Sequence, residues 1–294
     1  MTIKKTEVIC IGQAVLDCIT RGAKDYTDVP SMQADSITLS PGGDALNEAS
    51  ALASFGHRVE MVCGLGDDPA GQIVLREAER RGVGTGRITI VPGMSTPVAN
   101  LMVRGDGSRF SYSSPAAKLE GYHPARQDLE GAKVVSFASL FRAPLDDPAR
   151  VRDLLQAAHD SGAVVAADTK LPTFRRCCLE EWKDFLPLID VIFPNEKEAA
   201  YYTGEGQYEK MAEVFHGYGI REVVIKAGPE GCYASSGSFK QLLPALPVSV
   251  VDTTGAGDHF VAGFICGILE GADFEARCRK GLACAAECVG RIGG

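Results

Sequence analysis

Hydrophobic positions along the chain alternate between short β-branched runs and longer stretches with helical spacing. The short runs predict strands, as in EVICIG, RVEMVCGLG, AKVVSFA, AVVAAD, VIF and REVVIKAG. The longer stretches predict helices, as in DALNEASALASFG, AGQIVLREAERRG, PARVRDLLQAAHDSG, DHFVAGFICGILEG and FEARCRKGLACAAECVG. Gly56 and Gly82 close the first two, where a C-terminal cap glycine is common. The repeated β-α-β order predicts a three-layer α/β fold, with a mostly parallel sheet between helices.

Two stretches interrupt this alternation, roughly residues 14–40 and 96–114. The first has little helical spacing, and the second, TPVANLMVRGDGSRFSYSS, predicts two strands joined at Asp106-Gly107. We expect them to supply the strands of a small β-sheet that projects from the main sheet as a lid. The sequence contains no internal repeat or long linker, so residues 1–294 are predicted to form a single domain.

Composition narrows the classes of function. The chain has 294 residues, of which 45% are hydrophobic, enough for a large core. Its formal net charge is -8 and its basic residues are scattered, which disfavours a nucleic-acid or anionic-membrane partner. Acidic residues interrupt the apolar N-terminal stretch, and no window reaches the length of a membrane helix. We therefore expect a cytoplasmic protein.

The cysteine count is high for such a chain, at ten. No C-x-x-C pair occurs, which disfavours a zinc knuckle. We interpret all ten as small buried apolar residues in a reducing compartment.

The strongest chemical pattern is VSVVDTTGAGDHFVAGF, in which glycines and an acid precede a helical stretch. A helix N-terminus exposes N–H groups, and glycine lets a ligand approach the backbone closely. The amides of Gly255, Ala256 and Gly257 therefore suit a phosphate, and Asp258 could take a proton from a hydroxyl that attacks it. These are the requirements of phosphoryl transfer. The alternative is that Asp258 merely caps the helix.

DTTGAGDHFVAGF closely resembles the C-terminal signature of the PfkB (ribokinase-like) carbohydrate kinases, and it matches that signature as far as Gly263. The resemblance extends from about Glu7 to the end of the chain and implies the ribokinase-like fold. It also implies that Asp258 is the catalytic base and that the amides of residues 255–257 form the anion hole for the γ-phosphoryl group. His259 occupies a variable position and is interpreted as a structural helix residue.

A second motif, SPGGDALNEA, supports the resemblance and predicts the sugar site. Gly42 and Gly43 would form a hinge, and Asn47 could offer both a donor and an acceptor to vicinal hydroxyls. The resemblance implies that these residues and Asp17, expected at the end of the first strand, bind the sugar. The alternatives are an exposed polar helix residue for Asn47 and a solvated loop residue for Asp17.

Two further stretches are predicted to bind the nucleotide. In VVIKAGPEGCYA, the residues Lys226, Gly228 and Gly231 match a K-x-G-x-x-G form that the resemblance assigns to ATP, although a hairpin turn would read the same way. In AADTKLP, Lys170 departs from the D-x-N form common in the family. Either it reaches a phosphate or it is a solvated loop lysine. Thr254 completes the predicted nucleotide contacts.

The resemblance also implies cations. Asn195 and Glu198 in FPNEKEA match an N-x-x-E motif that acts on Mg²⁺, although the same spacing fits a helix capping box. Asp252 and Thr254 match residues beside a K⁺ site to which a segment after the last helix contributes. Because the chain stops at VGRIGG, we leave that K⁺ site open.

These observations predict an ATP-dependent kinase for a primary hydroxyl of a small sugar, with ATP and Mg²⁺ as cofactors. A nucleoside kinase is the alternative within the family, with Tyr26, Phe110 and Tyr112 as candidate lid aromatics. A non-catalytic sugar- or nucleotide-binding protein is the alternative outside enzymes. A dinucleotide-dependent dehydrogenase is not supported, because IGQAVLD lacks G-x-G-x-x-G. The resemblance also implies a homodimer formed through the lid.

Overall fold

The computed structural model describes residues 5–23, 31–105 and 108–291. The described strands of the main sheet number nine: β1 (Val8–Ile11), β4 (Val59–Gly66), β5 (Ile88–Val91), β8 (Val134–Leu140), β9 (Val164–Thr169), β10 (Val191–Phe193), β11 (Glu222–Lys226), β12 (Cys232–Ser236) and β13 (Phe239–Leu243). They lie in the order β13-β12-β11-β10-β9-β8-β1-β4-β5. Every neighbouring pair from β11 to β5 is parallel, whereas β12 and β13 continue the sheet as an antiparallel hairpin.

Helices cover both faces of this sheet. They are α1 (Asp44–Ser54), α2 (Pro69–Arg80), α3 (Pro148–Asp160), α4 (Glu196–Thr203), α5 (Tyr208–Gly217), α6 (Ala256–Leu269) and α7 (Phe274–Val289). The core accordingly divides into two clusters, one with residues of α1, α2, α6 and α7 and the other with residues of α3, α4 and α5. All residues of β1 and β8 are buried, because a central parallel strand is covered on both sides. The predicted three-layer fold is confirmed.

A second sheet of four strands, here called the lid sheet, lies beside the main one. Its strands are β2 (Val15–Arg21), β3 (Ser36–Gly42), β6 (Val98–Val103) and β7 (Arg109–Ser113), in the order β3-β2-β6-β7. Strands β2 and β6 are parallel, and the two outer pairs are antiparallel. The predicted turn at Asp106-Gly107 and the lid residue Tyr26 lie outside the described residues.

The register of the lid sheet separates its two faces. Residues paired across strands lie on one face, and successive residues alternate between faces. Leu39, Cys18, Asn100 and Tyr112 therefore form one row, and Ile37, Thr20, Met102 and Phe110 form the next row on the same face. The large apolar residues Ile37, Leu39, Phe110 and Tyr112 are exposed there. We call this the outer face, since Asp17 lies on the other one.

Helices α6 and α7 approach each other closely because glycines line their contact. A Cβ on Gly263 would lie 2.7 Å from the Cys284 Sγ and 2.8 Å from the Lys280 carbonyl oxygen. A Cβ on Gly281 would lie 2.9 Å from the Phe260 carbonyl oxygen. The glycine at the end of the recognised signature is thus required by helix packing rather than by a ligand.

The structure adds to the sequence predictions and corrects two of them. Strands β5, β12 and β13 and helix α5 were not among the predicted elements. Eight cysteines are buried, but Cys178 is exposed and Cys18 is half-buried, so the interpretation of all ten as buried residues is wrong for these two. Asp17 does not end the first strand, which stops at Ile11, but lies within β2 of the lid sheet. Among the described residues, no helix is long and apolar enough to cross a membrane.

Candidate active site

The N-terminus of α6 carries the acid singled out by the sequence. Gly255 is the N-cap residue in a left-handed conformation, with φ 77°, and no side chain caps the helix. Asp258 is the third helical residue and is 6% exposed. Its Oδ2 accepts a hydrogen bond from Asn47 Nδ2 at 2.8 Å. The Asp258 side chain is therefore turned toward α1, and it does not cap its own helix.

The amides of the same turn can receive an anion. The N–H groups of Gly257 and Asp258 lie in the first turn, where no carbonyl of the helix can reach them. The Ala256 N–H makes only a long bond of 3.4 Å to the Thr253 carbonyl oxygen. A helix N-terminus of this form attracts negative charge.

The Asp44 carboxylate and the Lys170 ammonium influence the charge state of Asp258. Burial raises the pKa of Asp258 to about 7, and the Asp44 carboxylate raises it as well. Lys170 and the Asn47 hydrogen bond act in the opposite direction. Lys170 Nζ lies 3.0 Å from Asp44 Oδ1, and Ser139 Oγ donates to Asp44 Oδ2 at 3.0 Å. The pKa of Lys170 is raised although burial opposes this, because Asp44 and Asp258 favour the ammonium. Lys170 is thus an ion-paired residue of the cleft rather than a solvated loop lysine.

The four residues predicted to bind sugar lie together. A Cβ on Gly42 would lie 3.0 Å from Asp17 Oδ2 and 3.8 Å from Asn47 Oδ1. Gly43 has φ 94°, and its Cβ would lie 2.7 Å from the Gln13 carbonyl oxygen, so no larger residue fits. Burial raises the pKa of Asp17 to about 6, and Asp44 contributes to the shift. Polar groups from the lid sheet and from α1 therefore converge next to Asp258.

Lys226 connects the end of β11 with the first turn of α6. Its Nζ lies 2.6 Å from Asp168 Oδ1, and a Cβ on Gly257 would lie 3.3 Å from the same Nζ. An ammonium group thus lies beside the free amides of the helix. Gly228 (φ 52°) and Gly231 (φ 106°) form the turn of the hairpin between β11 and β12. The K-x-G-x-x-G stretch is therefore a hairpin turn whose lysine reaches the site.

Asn195 and Glu198 form the capping box of α4. Asn195 Oδ1 accepts from the Glu198 N–H at 3.0 Å, and Glu198 Oε2 accepts from the Asn195 N–H at 2.9 Å. Thr169 Oγ1 donates to the same Glu198 oxygen at 2.9 Å. Burial raises the pKa of Glu198, and the nearby Asp168 carboxylate raises it further. Within the described part of the chain, no hydrogen bond engages the other carboxylate oxygen, Oε1.

Asp252 and Thr254 organise the loop before α6. Both the N–H and the hydroxyl of Thr254 donate to Asp252 Oδ1, at 2.9 and 2.7 Å. The Arg21 guanidinium lies 3.8 Å from Asp252 Oδ2. Over residues 5–23, 31–105 and 108–291, the structure contains no cluster of three or more histidine, cysteine or acidic side chains arranged to hold a metal.

The sequence of the chain matches a known family. The sequence model described as pfkB family carbohydrate kinase matches residues 5–294. The chain belongs to the pfkB family of carbohydrate kinases. It is 28% identical over 259 residues to the cytidine kinase of Thermococcus kodakarensis, an alignment that covers 86% of this chain and 89% of the relative. It is 29% identical to the ribokinase of Haemophilus influenzae, over 86% of this chain and 82% of the relative.

A solved structure supports the fold of this pfkB kinase. The structure of Arabidopsis thaliana ribokinase, complexed with ribose and ATP, superposes with a TM-score of 0.84 and 23% identity. The match covers 99% of this chain and 95% of the ribokinase. The ribokinase-like arrangement of main sheet and helices is therefore confirmed.

Sequence reasoning missed three polar residues of this pfkB kinase site. Asp44 directly follows the Gly-Gly pair, yet nothing in its neighbourhood along the chain indicates that it meets Lys170. Ser139 lies in an apolar strand and reads as a core residue. Glu48 follows Asn47 and is 1% exposed, with Oε1 near the Cys10 thiol. Each acquires its contacts only through the tertiary fold.

Proposed function

We propose that this kinase transfers the γ-phosphoryl group of ATP to a primary hydroxyl of a small sugar. The observation that carries the proposal is the position of Asp258, a buried carboxylate that accepts from Asn47 beside the free amides of α6. Such a site combines a proton acceptor with donors for the transferring group.

The acceptor sugar would bind between the lid sheet and α1. Asp17 and Asn47 supply acceptors and a donor for its hydroxyl groups, and Gly43 lets it approach the backbone. Because Asn47 engages Asp258 Oδ2, the other oxygen of that carboxylate faces the reacting hydroxyl in this proposal. Contacts on several hydroxyls would hold one of them in line with the γ-phosphorus.

In the reaction, the acceptor oxygen forms a bond to the γ-phosphorus and its proton passes to Asp258. The bond between the γ-phosphorus and the bridging oxygen breaks, and its electron pair leaves with ADP. The amides of Gly255, Ala256 and Gly257 would stabilise the charge on the transferring group. Lys170 and Lys226 add positive charge on either side of that group.

ATP would lie across the turn at Gly228 and Gly231 and the loop that ends at Thr254. Apolar side chains between these two features are exposed, including Val250 at 63%. An adenine ring that covered them would bury apolar surface. ATP in the solved Arabidopsis ribokinase complex supports a nucleotide in this fold.

Mg²⁺ is proposed to act near Asn195 and Glu198 through water molecules. The capping box engages the single side-chain oxygen of Asn195 and one of the two carboxylate oxygens of Glu198, which suits contact through the hydration shell that Mg²⁺ keeps. The unengaged Glu198 Oε1 fits that role, and a nearby cation would favour its ionised form. When bound, Mg²⁺ would neutralise charge on the phosphate oxygens. For K⁺, Asp252 is the proposed ligand, although its ion pair with Arg21 already supplies positive charge.

We also propose that the kinase forms a homodimer through the outer face of the lid sheet. Ile37 and Leu39 on β3, and Phe110 and Tyr112 on β7, are large apolar residues exposed on that face. A second copy of the same face is complementary in chemistry, and burial of both would stabilise the pair. The lid itself would exclude water from the transferring phosphoryl group.

A nucleoside acceptor is the second candidate, favoured by the similarity to a cytidine kinase. The lid aromatics do not add to it, because Phe110 and Tyr112 lie on the outer face, opposite Asp17. A protein that binds sugar or nucleotide without catalysis is opposed by the intact Asp258 and the glycines around it.

The test is a coupled assay of ADP release from ATP and Mg²⁺ with pentoses, hexoses, keto-acid sugars and nucleosides. We expect turnover with one of the sugars and the appearance of its phosphate ester. Turnover confined to nucleosides would establish the second candidate instead. Binding of ATP and a sugar without any turnover would contradict the kinase proposal.

A further inference from the structure

His259 bonds to the glycine that begins the anion-binding turn. The carbonyl oxygen of Gly255 accepts the His259 N–H at 2.9 Å, and the imidazole Nδ1 lies 3.0 Å from the same oxygen. The ring therefore folds back over the first turn of α6. It is 5% exposed, so solvent does not compete for this bond.

Arg291 fixes the tautomer of this ring. An Arg291 Nη atom lies 3.4 Å from His259 Nε2. A guanidinium can only donate, so Nε2 must be the unprotonated acceptor and Nδ1 must carry the hydrogen. Nδ1–H can then donate to the Gly255 carbonyl. Burial lowers the pKa of His259 and Arg291 lowers it further, whereas the hydrogen bond to Gly255 raises it; the net lowering favours this neutral form.

The Gly255 carbonyl belongs to the first peptide plane of the helix. In a trans peptide, this oxygen and the Ala256 N–H point in opposite directions and move together. Fixing the oxygen toward the helix therefore fixes the direction of the Ala256 N–H at the helix start. Gly255 lacks a side chain and has a left-handed φ, so nothing in the residue itself restricts this peptide.

Residues at the C-terminal end of α7 make hydrogen bonds to the loop that precedes α6. The Val289 carbonyl oxygen accepts from the N–H groups of Val251 and Asp252, at 2.8 and 3.3 Å. The Cys288 thiol donates to the Thr254 carbonyl oxygen at 3.4 Å. Together with the contact between Arg291 and His259, these hydrogen bonds connect both the loop before Gly255 and the Gly255–Ala256 peptide to the C-terminus of α7.

We propose that His259 is a positioning residue for the anion hole and that Arg291 acts through it. The proposal rests on the function proposed above. His259 touches no reacting atom, but it orients the amides that meet the transferring phosphoryl group. Its removal should lower turnover more than substrate affinity, since those amides matter most in the transition state.

The test compares variants in the ADP-release assay with the best sugar found in the screen. His259→Ala should lower kcat at least about 10-fold, with the KM of ATP and of the sugar changed less than about threefold. His259→Asn, whose side-chain amide can donate to the same carbonyl, should recover most of the loss. Arg291→Met should give an intermediate kcat.

A second measurement separates positioning from mere stabilisation of the fold. Calorimetry with ADP, aluminium fluoride and the sugar, which together mimic the transferring group, should show weaker binding for His259→Ala. Binding of ADP alone should be unchanged. The matched control is His216→Ala, because His216 makes two comparable bonds, to Ile220 O and Ser235 Oγ, both at 2.8 Å and in the other helix layer. That variant should lose thermal stability and keep kcat.

Three outcomes would overturn the inference. They are a kcat for His259→Ala within about threefold of the parent, a His259→Asn variant no better than His259→Ala, or unchanged affinity for the fluoride complex. If His259→Ala does not fold, unchanged kcat and fluoride-complex affinity in Arg291→Met would overturn it. An unsubstituted protein that phosphorylates no acceptor would instead refute the proposed function.

Discussion

Asn47 Nδ2 donates to Asp258 Oδ2 at 2.8 Å, which joins α1 to α6, the helix that begins within the DTTGAGD stretch. The two residues are 211 positions apart in sequence. One side chain is proposed to bind the sugar and the other to take its proton. A single contact thus couples acceptor binding to the orientation of the base.

Asp258→Asn should abolish most of the activity. The amide keeps the shape of the side chain but cannot accept the proton, so kcat should fall about 10²–10⁴-fold. Calorimetry should show ATP binding unchanged and thermal unfolding should show a folded protein. The matched control is Asp273→Asn, because Asp273 is an aspartate at the N-terminus of another helix, α7, where it accepts from the Ala276 N–H. Near-normal turnover in Asp258→Asn would refute the assignment of the base.

The rate should depend on pH through Asp258. A base acts in its ionised form, so with a pKa of about 7 the value of kcat/KM should fall as the pH drops below 7. Asp44→Asn removes a like charge, which should lower that pKa and move the acid limb down by about 1 pH unit. An acid limb that stays in place in this variant would show that Asp44 does not act on the base.

Lys170→Met should have the opposite effect on the acid limb. It removes the positive charge that favours ionised Asp258, so the limb should move up by about 1 pH unit. If the ammonium also contacts phosphate, kcat at high pH should fall about 10-fold. In the double variant Lys170→Met/Asp44→Asn, the acid limb should return to its position in the parent protein, but kcat should stay low. A limb restored together with full kcat would mean that Lys170 serves only to balance Asp44.

Glu48 should make the ligand-free protein less stable as the pH rises. Burial raises the pKa of this carboxyl to about 8, so the folded state holds a proton that the unfolded chain has released. Stability should therefore fall as the pH rises from 6.5 to 8, by about 2–3 °C in Tm. Glu48→Gln, which has no proton to lose, should remove most of this slope. An unchanged slope in differential scanning calorimetry would contradict the assignment.

Leu39→Lys should dissociate the proposed homodimer. A charge at this exposed position of the outer face cannot be buried against a second copy without a large cost. Sedimentation velocity should show dimers for the parent protein and monomers for the variant. Tyr201→Lys, at an exposed aromatic of α4 away from the lid sheet, is the control and should remain dimeric. A parent that sediments as a monomer would refute this interface.

The sequence predicted the parts of the fold that local patterns determine. Buried parallel strands read as continuous apolar runs, and helices carry their period and cap glycines within a few residues. Strand β12, with the sequence CYASS, lacks β-branched residues, and β5 has only four residues, so neither had a clear signal. Asp17 was placed in the wrong strand because only three residues, Gly12 to Ala14, separate β1 from β2, and the single glycine among them was not interpreted as a break.

In the candidate site, the sequence identified the residues that belong to motifs but not the residues with which they form ion pairs. Ion pairs such as Lys170 with Asp44 and Lys226 with Asp168 span 126 and 58 positions, and no local pattern encodes them. The direction of Phe110 and Tyr112 depends on the register of four strands. A one-residue slip in that register would turn both rings toward Asp17. That is why lid aromatics named from sequence alone carried no information about the pocket.

The proposed sugar contacts are split between Asp17 on the lid sheet and Asn47 on α1, while Asp258 belongs to α6. Substitutions in the strands of the lid sheet could therefore change which carbohydrate is accepted while Asp258 and the amides of α6 stay unchanged. Because acceptor binding and proton transfer depend on different elements, one ancestral fold could give rise to enzymes with many different acceptors.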